Sequence, residues 1–147
     1  MTIHFLRQIP LKYKVEYDSG VTDGIKAIWG IPEGADVLEI TPMGDVFVRL
    51  PDNTFQLISV TDGVIQDVTD DINEYGLPPV DFALGDEWYQ LDAQAALSEE
   101  GFTLPAKACF GFRVPLFQGG EYSSANIEAE DILSYHTRVQ ALVSDDA

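Results

Sequence analysis

The chain has 147 residues with 46% hydrophobic side chains, a composition that suits one globular domain spanning residues 1–147 with a sizeable core. Its 25 acidic and 8 basic side chains give a formal net charge of −17, which argues against nucleic acid and anionic membranes as partners. The single cysteine, Cys109, excludes an intrachain disulfide. Without a signal-peptide pattern or a long apolar run, we expect a cytoplasmic protein.

Strands dominate the predictions for the N-terminal half. Residues 11–17 alternate between apolar and polar, which predicts a half-buried strand that a turn at residues 18–20 ends. Turn residues separate three more predicted strands, at residues 36–41, 46–50 and 55–60. Because short turns join neighbouring strands, we expect an antiparallel meander. Residues 64–73 fit a strand or a helix equally well.

Two helices and a strand are predicted in the C-terminal half. Residues 85–99 form a helical pattern with Trp88, Leu91 and Ala95 on the apolar stripe and Gln94 on the polar side. A last helix begins near Asp131, a good N-cap residue. The fold class that follows is α+β, a single domain with an antiparallel meander packed with a few helices. The side chains expected to be most buried are Phe110, Phe112, Val114, Ile132, Tyr135 and Val139.

Catalytic and metal-binding patterns are lacking in the sequence. His4 and His136 lie at opposite ends of the chain, and His136 falls on the apolar face of the last helix, where a hydrogen-bonded core histidine is expected. Cys109 lies in an apolar run that predicts a buried, inert thiol. The sequence therefore predicts a protein that is not an enzyme and that needs no cofactor or metal.

A Gly-Gly-Glu-Tyr turn is the most distinctive motif. It comprises Gly119, Gly120, Glu121 and Tyr122, and Asn126-Ile127 follows it before the last helix. Upstream lie Leu104-Pro105, an aromatic strand at residues 109–114, and Pro115. This order resembles the C-terminal domain family of type VI secretion immunity proteins, over about residues 35–143. The resemblance implies a binding protein that neutralises a toxin.

The turn itself has a structural and a functional interpretation. Paired glycines permit unusual backbone angles, and Tyr122 can pack back on the fold. Glu121 can satisfy backbone donors or pair with Arg113 or Arg138, so we expect the motif mainly to specify structure. Alternatively, the turn presents Glu121 and Tyr122 to a partner.

Charge and resemblance together favour one function. No Lys or Arg occurs between Arg49 and Lys107, and acids in that segment attract a basic partner such as a type VI nuclease toxin. Candidate partner-facing acids are Asp70, Asp71 and Glu74, whose spacing does not suit a calcium loop. The alternative is a small acidic protein- or ligand-interaction module of housekeeping role without a toxin partner.

Overall fold

A computed structural model of the protein describes residues 11–146, with side chains up to residue 144. The described chain is a single small α+β domain, as predicted. Its elements are α1 (Ser19–Trp29), β1 (Asp36–Ile40), β2 (Val46–Arg49), β3 (Phe55–Ser59), β4 (Val64–Asp67), α2 (Thr69–Tyr75), α3 (Phe82–Tyr89), α4 (Leu91–Glu99), β5 (Ala108–Phe112), β6 (Ile127–Asp131) and α5 (Ile132–Asp146).

The predicted meander is confirmed and extended by one strand. Strands β1 to β4 form an antiparallel sheet in chain order, with Val46 opposite Ile58 and Ile58 opposite Ile65. The undecided segment at residues 64–73 is both a strand and a helix, because β4 ends at Asp67 and α2 begins at Thr69.

Alternation along β2 divides the core between two faces of this sheet. Val46 and Val48 point to the side covered by α1 and α5, where they pack with Ile25 and Val139. Phe47 points to the opposite side and packs against Trp88, with ring centroids 4.9 Å apart. Helices therefore cover both faces of the sheet, which is why β2 and β3 carry so many buried residues.

A two-stranded ribbon of β5 and β6 lies beside the main sheet. Phe110 pairs with Ala129 in this antiparallel ribbon, and the Phe110 N–H donates to the Pro42 carbonyl at 2.7 Å. Phe110 and Phe112 are fully buried against Leu97 of α4. The ribbon thereby connects α4 and the Gly-Gly-Glu-Tyr loop to the β1–β2 turn. Strand β6 was not predicted from the sequence.

The predicted strand at residues 11–17 was wrong. Of its four apolar residues, Val15 is buried and Tyr13 is half-buried, whereas Leu11 and Tyr17 are exposed, and the segment forms no ladder. Its Lys12 N–H donates to the Gln94 side chain at 3.2 Å, and the Glu16 carbonyl accepts from the Lys107 N–H at 2.7 Å. The turn predicted at residues 18–20 is instead the start of α1.

The predicted helix at residues 85–99 is two helices. Asp81 caps α3 by accepting from the Leu84 N–H at 3.1 Å, so this helix begins earlier than predicted. Gln90, at φ +53°, separates α3 from α4. Gln94 is fully buried, contrary to prediction, because its Nε2 donates to the Tyr89 carbonyl at 2.7 Å.

Five of the six side chains expected in the core are buried, and Val114 is the exception at 48% exposed. Strand β5 ends at Phe112, so the alternation that pointed Val114 inward no longer applies. The predicted cap of the last helix is confirmed, because the Asp131 carboxylate accepts from the Ser134 N–H at 2.9 Å.

Candidate functional site

The β1–β2 turn places a carboxyl group inside the protein. Asp45 directly precedes β2, and only 4% of the residue is exposed. Gly44, at φ +92°, allows the turn to pack tightly, because a Cβ there would lie 3.0 Å from the Cys109 sulfur. The Asp45 carbonyl accepts from the Thr41 N–H at 2.8 Å and closes the hairpin. The Asp45 side chain is thereby directed toward the residues that follow β3.

Neutral donors alone hold the Asp45 carboxyl group. Its Oδ1 accepts from the Thr61 N–H and the Thr61 hydroxyl, each at 3.1 Å, and its Oδ2 accepts from Gln90 Nε2 at 3.2 Å. Among residues 11–144, none of the ion pairs includes Asp45. Burial raises the pKa of Asp45 to about 7, although the hydrogen bonds from Thr61 and Gln90 oppose this shift.

Gln90 lies between α3 and α4 with its side chain fixed at one end. Its Nε2 donates to Asp45 and to the Thr61 hydroxyl, the latter at 2.9 Å. Its Oε1 is buried and has no hydrogen-bond partner among the described residues. A buried amide oxygen without a donor is unfavourable, so this atom indicates an incomplete hydrogen-bonding site.

These groups line a cavity of about 270 Å³, which we call the polar cavity. Trp88 and Tyr122 contribute aromatic surface to it, and Asp62 and Glu87 add two further carboxylates. The polar cavity is lined by Asp45, Leu57, Ser59, Thr61, Asp62, Gln66, Glu87, Trp88, Gln90, Leu116 and Tyr122. Among the described residues, no basic side chain is part of this lining.

The Gly-Gly-Glu-Tyr loop is built largely by Asn126. The Asn126 side chain accepts from the Val114 N–H at 2.9 Å and donates to the Val114 and Glu121 carbonyls at 2.8 and 2.9 Å. Gly119 adopts φ +86°, and a Cβ on Gly120 would overlap the Val114 carbonyl oxygen. The motif residues therefore specify the loop. The predicted partners of Glu121 were wrong, because Arg113 and Arg138 pair with the β6 glutamates.

The Gly-Gly-Glu-Tyr loop holds Tyr122 at the protein surface. Its ring stacks on Phe112 with centroids 5.8 Å apart, yet 53% of the residue is exposed. Burial, followed by the charges of Asp92, Asp86 and Asp45, raises the pKa of Tyr122. Tyr122 is therefore a partly exposed aromatic side chain surrounded by carboxylates.

Tyr122 also borders a second cavity of about 110 Å³, which we call the apolar cavity. Ala93, Leu97 and Ile127 supply its apolar surface. Ser123 lines it too, and the Ser123 hydroxyl oxygen is buried without a partner. Both buried side-chain atoms without partners in the described chain thus belong to residues that line a cavity together with Tyr122. We call the two cavities, with Tyr122 between them, the Tyr122 site.

The other candidate residues lie elsewhere. Asp70, Asp71 and Glu74 project from α2, with Asp70 and Glu74 exposed and Asp71 half-buried, and none of them lines either cavity. Cys109 is fully buried, and burial raises the pKa of its thiol. In the part of the chain that the structure describes, no group of three His, Cys, Asp or Glu could hold a metal ion. His4 lies outside the described residues.

His136 is a core residue, as its position on the last helix predicted. It is fully buried, its Nδ1 accepts from Trp29 Nε1 at 2.8 Å, and its Nε2 donates to the Gly44 carbonyl at 2.7 Å. The carbonyl needs a donor and the indole N–H needs an acceptor, so this geometry requires a neutral ring. Burial lowers the pKa of His136 to about 4, although the bond to Gly44 raises it.

No local signal in the sequence points to the polar cavity. Asp45 reads as an ordinary turn residue and Gln90 as an ordinary helix residue, and the structure brings them together with Thr61 and Tyr122. The Gly-Gly-Glu-Tyr turn, which includes Tyr122, is the part of the site that the sequence motif indicated.

The sequence matches no protein-family model and no curated protein. The resemblance to type VI immunity proteins therefore stays a prediction based on the motif residues. Within residues 11–146, none of the helices combines the length and the apolar character that crossing a membrane requires.

Proposed function

We propose that this protein is a non-catalytic immunity protein that binds a basic cognate toxin, such as a type VI nuclease, and occludes it in the cytoplasm. The observation that carries the proposal is the Tyr122 site. A half-exposed aromatic side chain is held between two cavities, and the motif of the resembling family builds the loop that holds it. Aromatic anchors beside pockets are typical of protein-binding surfaces.

Charge supports a basic partner at this site. Asp62 and Glu87 line the polar cavity and Asp92 lines the apolar cavity, whereas no Lys or Arg from residues 11–144 lines either one. The whole chain adds a net charge of −17. Such a field accelerates encounter with a basic protein, and charges at the contact surface then slow its dissociation. A nuclease is basic around its active site because it must hold phosphate groups.

The lining residues favour binding over catalysis. In the part of the chain that the structure describes, neither cavity is lined by His, Cys or Lys, so a nucleophile paired with a nitrogen base is not among these lining side chains. The buried carboxyl group of Asp45 is engaged by Thr61 and Gln90, which hold it within the fold. Occlusion of the toxin needs only a rigid, complementary surface.

The test begins with the product of the neighbouring gene, if it carries a secretion-marker domain and a toxic C-terminus. We expect the two proteins to co-purify as a stable complex in which the toxin is inactive. Failure of the purified proteins to associate, at low and at physiological salt, would contradict the proposal.

Two matched variants then locate the interface. The rim variant combines Asp62→Asn, Glu87→Gln and Asp92→Asn, and the α2 variant combines Asp70→Asn, Asp71→Asn and Glu74→Gln. Each variant removes three negative charges, so both should lower the association rate and its salt dependence in stopped-flow measurements. Only the rim variant should dissociate faster, by about tenfold or more, because only its acids border the Tyr122 site. Equal dissociation rates for the two variants would place the interface elsewhere.

A housekeeping interaction module is the second candidate, and the polar cavity favours it. A cavity of about 270 Å³ with buried acceptors is suited to a small polar ligand as well as to a side chain. This alternative predicts a ligand that occupies the cavity with submillimolar affinity and protects the protein from thermal unfolding when no toxin is present. A tight toxin complex that small ligands do not compete with would rule it out.

A further inference from the structure

We propose that the polar cavity of the Tyr122 site is a subsite for the guanidinium group of an arginine side chain. The inference rests on the proposed function for the source of that arginine, which is the basic partner. The argument for the guanidinium group itself comes from the acceptors, the aromatic walls and the charges of the cavity.

One acceptor of a residue that lines the cavity lacks a donor. Gln90 Nε2 donates to Asp45 Oδ2 and to the Thr61 hydroxyl. In this orientation Gln90 Oε1 is a buried acceptor that has no partner among the described residues. Asp45 Oδ2 accepts from Gln90 at 3.2 Å and, weakly, from the Thr61 hydroxyl at 3.3 Å. A ligand with several N–H donors and a positive charge satisfies both oxygens.

The aromatic residues that line the cavity favour a guanidinium group over an ammonium group. Trp88 and Tyr122 line the cavity beside these acceptors, and a planar guanidinium group stacks on aromatic rings while it donates in its own plane. An ammonium group is more strongly hydrated and lacks the planar fork, so it loses more on entering the same space. The carboxylates of Asp62 and Glu87 add favourable charge at the cavity. This combination indicates arginine in preference to lysine.

The direct test uses a small probe and needs no toxin. Nα-acetyl-arginine N-methylamide is titrated into ¹⁵N-labelled protein, and the Gln90 side-chain amide and the Trp88 indole N–H are followed by NMR. We expect saturable shifts of both signals with a dissociation constant in the millimolar range, roughly 1–10 mM. The citrulline analogue, which is neutral and similar in shape, should bind at least about tenfold more weakly. The lysine analogue should fall between them.

Variants assign the effect to the cavity. Gln90→Asn withdraws the orphaned acceptor while keeping a residue that tolerates positive φ, and Glu87→Gln removes one cavity charge. Each should weaken the arginine probe several-fold. Glu33→Gln removes the same charge from a different depression of the surface and should have no effect. Heat-denaturation curves of the variants show whether each one remains folded.

The outcomes separate this inference from the proposed function. If the toxin binds but the arginine probe shifts neither signal, and Gln90→Asn binds the toxin as wild type does, the guanidinium subsite is refuted and the immunity function stands. If the probe binds selectively and the neighbouring gene product does not, the subsite stands without the toxin. Equal binding of the arginine and citrulline probes would show that charge recognition is absent and would also refute the subsite.

Discussion

Replacing the buried histidine tests the core of this fold through its pH dependence. His136→Gln keeps one donor for the Gly44 carbonyl and one acceptor for the Trp29 indole but cannot take up a proton near neutral pH. Protonation of the wild-type ring would put an N–H on Nδ1 against the indole N–H. Wild type should therefore lose stability in acid that the variant retains.

The sign and size follow from the shifted pKa. His136 has a pKa of about 4 in the folded protein, below its ordinary value of 6.5, so the unfolded chain binds more protons between these values. The stability from the neutral ring is present above pH 6.5 and is lost as the pH falls toward 4. From these two pKa values, the free energy of unfolding should fall by about 3 kcal/mol in total, of which about 2 kcal/mol is lost between pH 8 and pH 5.

The assay is urea unfolding followed by tryptophan fluorescence, for both proteins, from pH 8 to pH 5. The lower limit keeps clear of the isoelectric point near 4.1. The difference between wild type and variant isolates His136, because the carboxyl groups contribute to both. Measurements on wild type alone would not be enough, because Asp45 has a raised pKa and stabilises the fold as the pH falls. That contribution opposes the destabilisation by His136 and would hide it. A difference that stays constant within about 0.5 kcal/mol would refute the buried neutral ring.

Four other substitutions test the packing around the Tyr122 site by the same unfolding assay. Phe112→Ala should lower the free energy of unfolding by about 3–5 kcal/mol, because the residue is fully buried; a loss below about 1 kcal/mol would contradict its position. Asn126→Ala removes three hydrogen bonds from the motif loop and should lower it by about 2 kcal/mol, whereas an unchanged value would show that the loop holds without them. Gly120→Ala should lower the free energy of unfolding more than Gly119→Ala, because a Cβ on Gly120 overlaps the Val114 carbonyl. A Cβ on Gly119 meets open space and adds only about 1 kcal/mol of backbone strain, so the reverse order would refute this loop geometry.

The meander was predictable because its causes are local. Gly44 in one turn and Asn53 in the next both take positive φ, and each is a residue type that adopts it readily. The strands next to these turns are short runs of β-branched and aromatic residues, such as Val46, Phe47 and Val48, which favour a strand. The start of α5 was predictable for a similar reason, since Asp131 caps the helix through contacts within three residues.

Strand β6 was missed because its own residues do not favour it. The sequence from Ile127 to Asp131 contains two glutamates and an alanine, which have little strand preference. Pairing with the buried strand β5 forms it, with Phe112 opposite Ile127 and Cys109 opposite Glu130. An acidic strand on the outer edge of an apolar one can be found only after the pairing is known.

The break at Gln90 has a distant cause as well. Glutamine is a good helix former, so a continuous helix was the natural prediction for residues 85–99. The side chain instead bonds to Asp45 and Thr61, which lie 45 and 29 residues away along the chain. Gln90 lies at the break between α3 and α4 and also lines the polar cavity, so the wrong helix prediction and the missed site involve the same residue.

Asp45 shows why such a cavity disfavours the isolated fold and favours a complex. Its pKa rises from 3.8 to about 7, so the folded protein holds this proton more tightly than the unfolded chain, and stability falls as the pH rises between these values. Near pH 7 the loss is about 4 kcal/mol. A cation that binds only the folded protein, next to the carboxylate, recovers part of this free energy, and the recovered part adds to its affinity. None of the described ion pairs places a positive charge next to Asp45. A basic partner that does so gains affinity, because it offsets the cost of burying this carboxylate, which the free protein already bears.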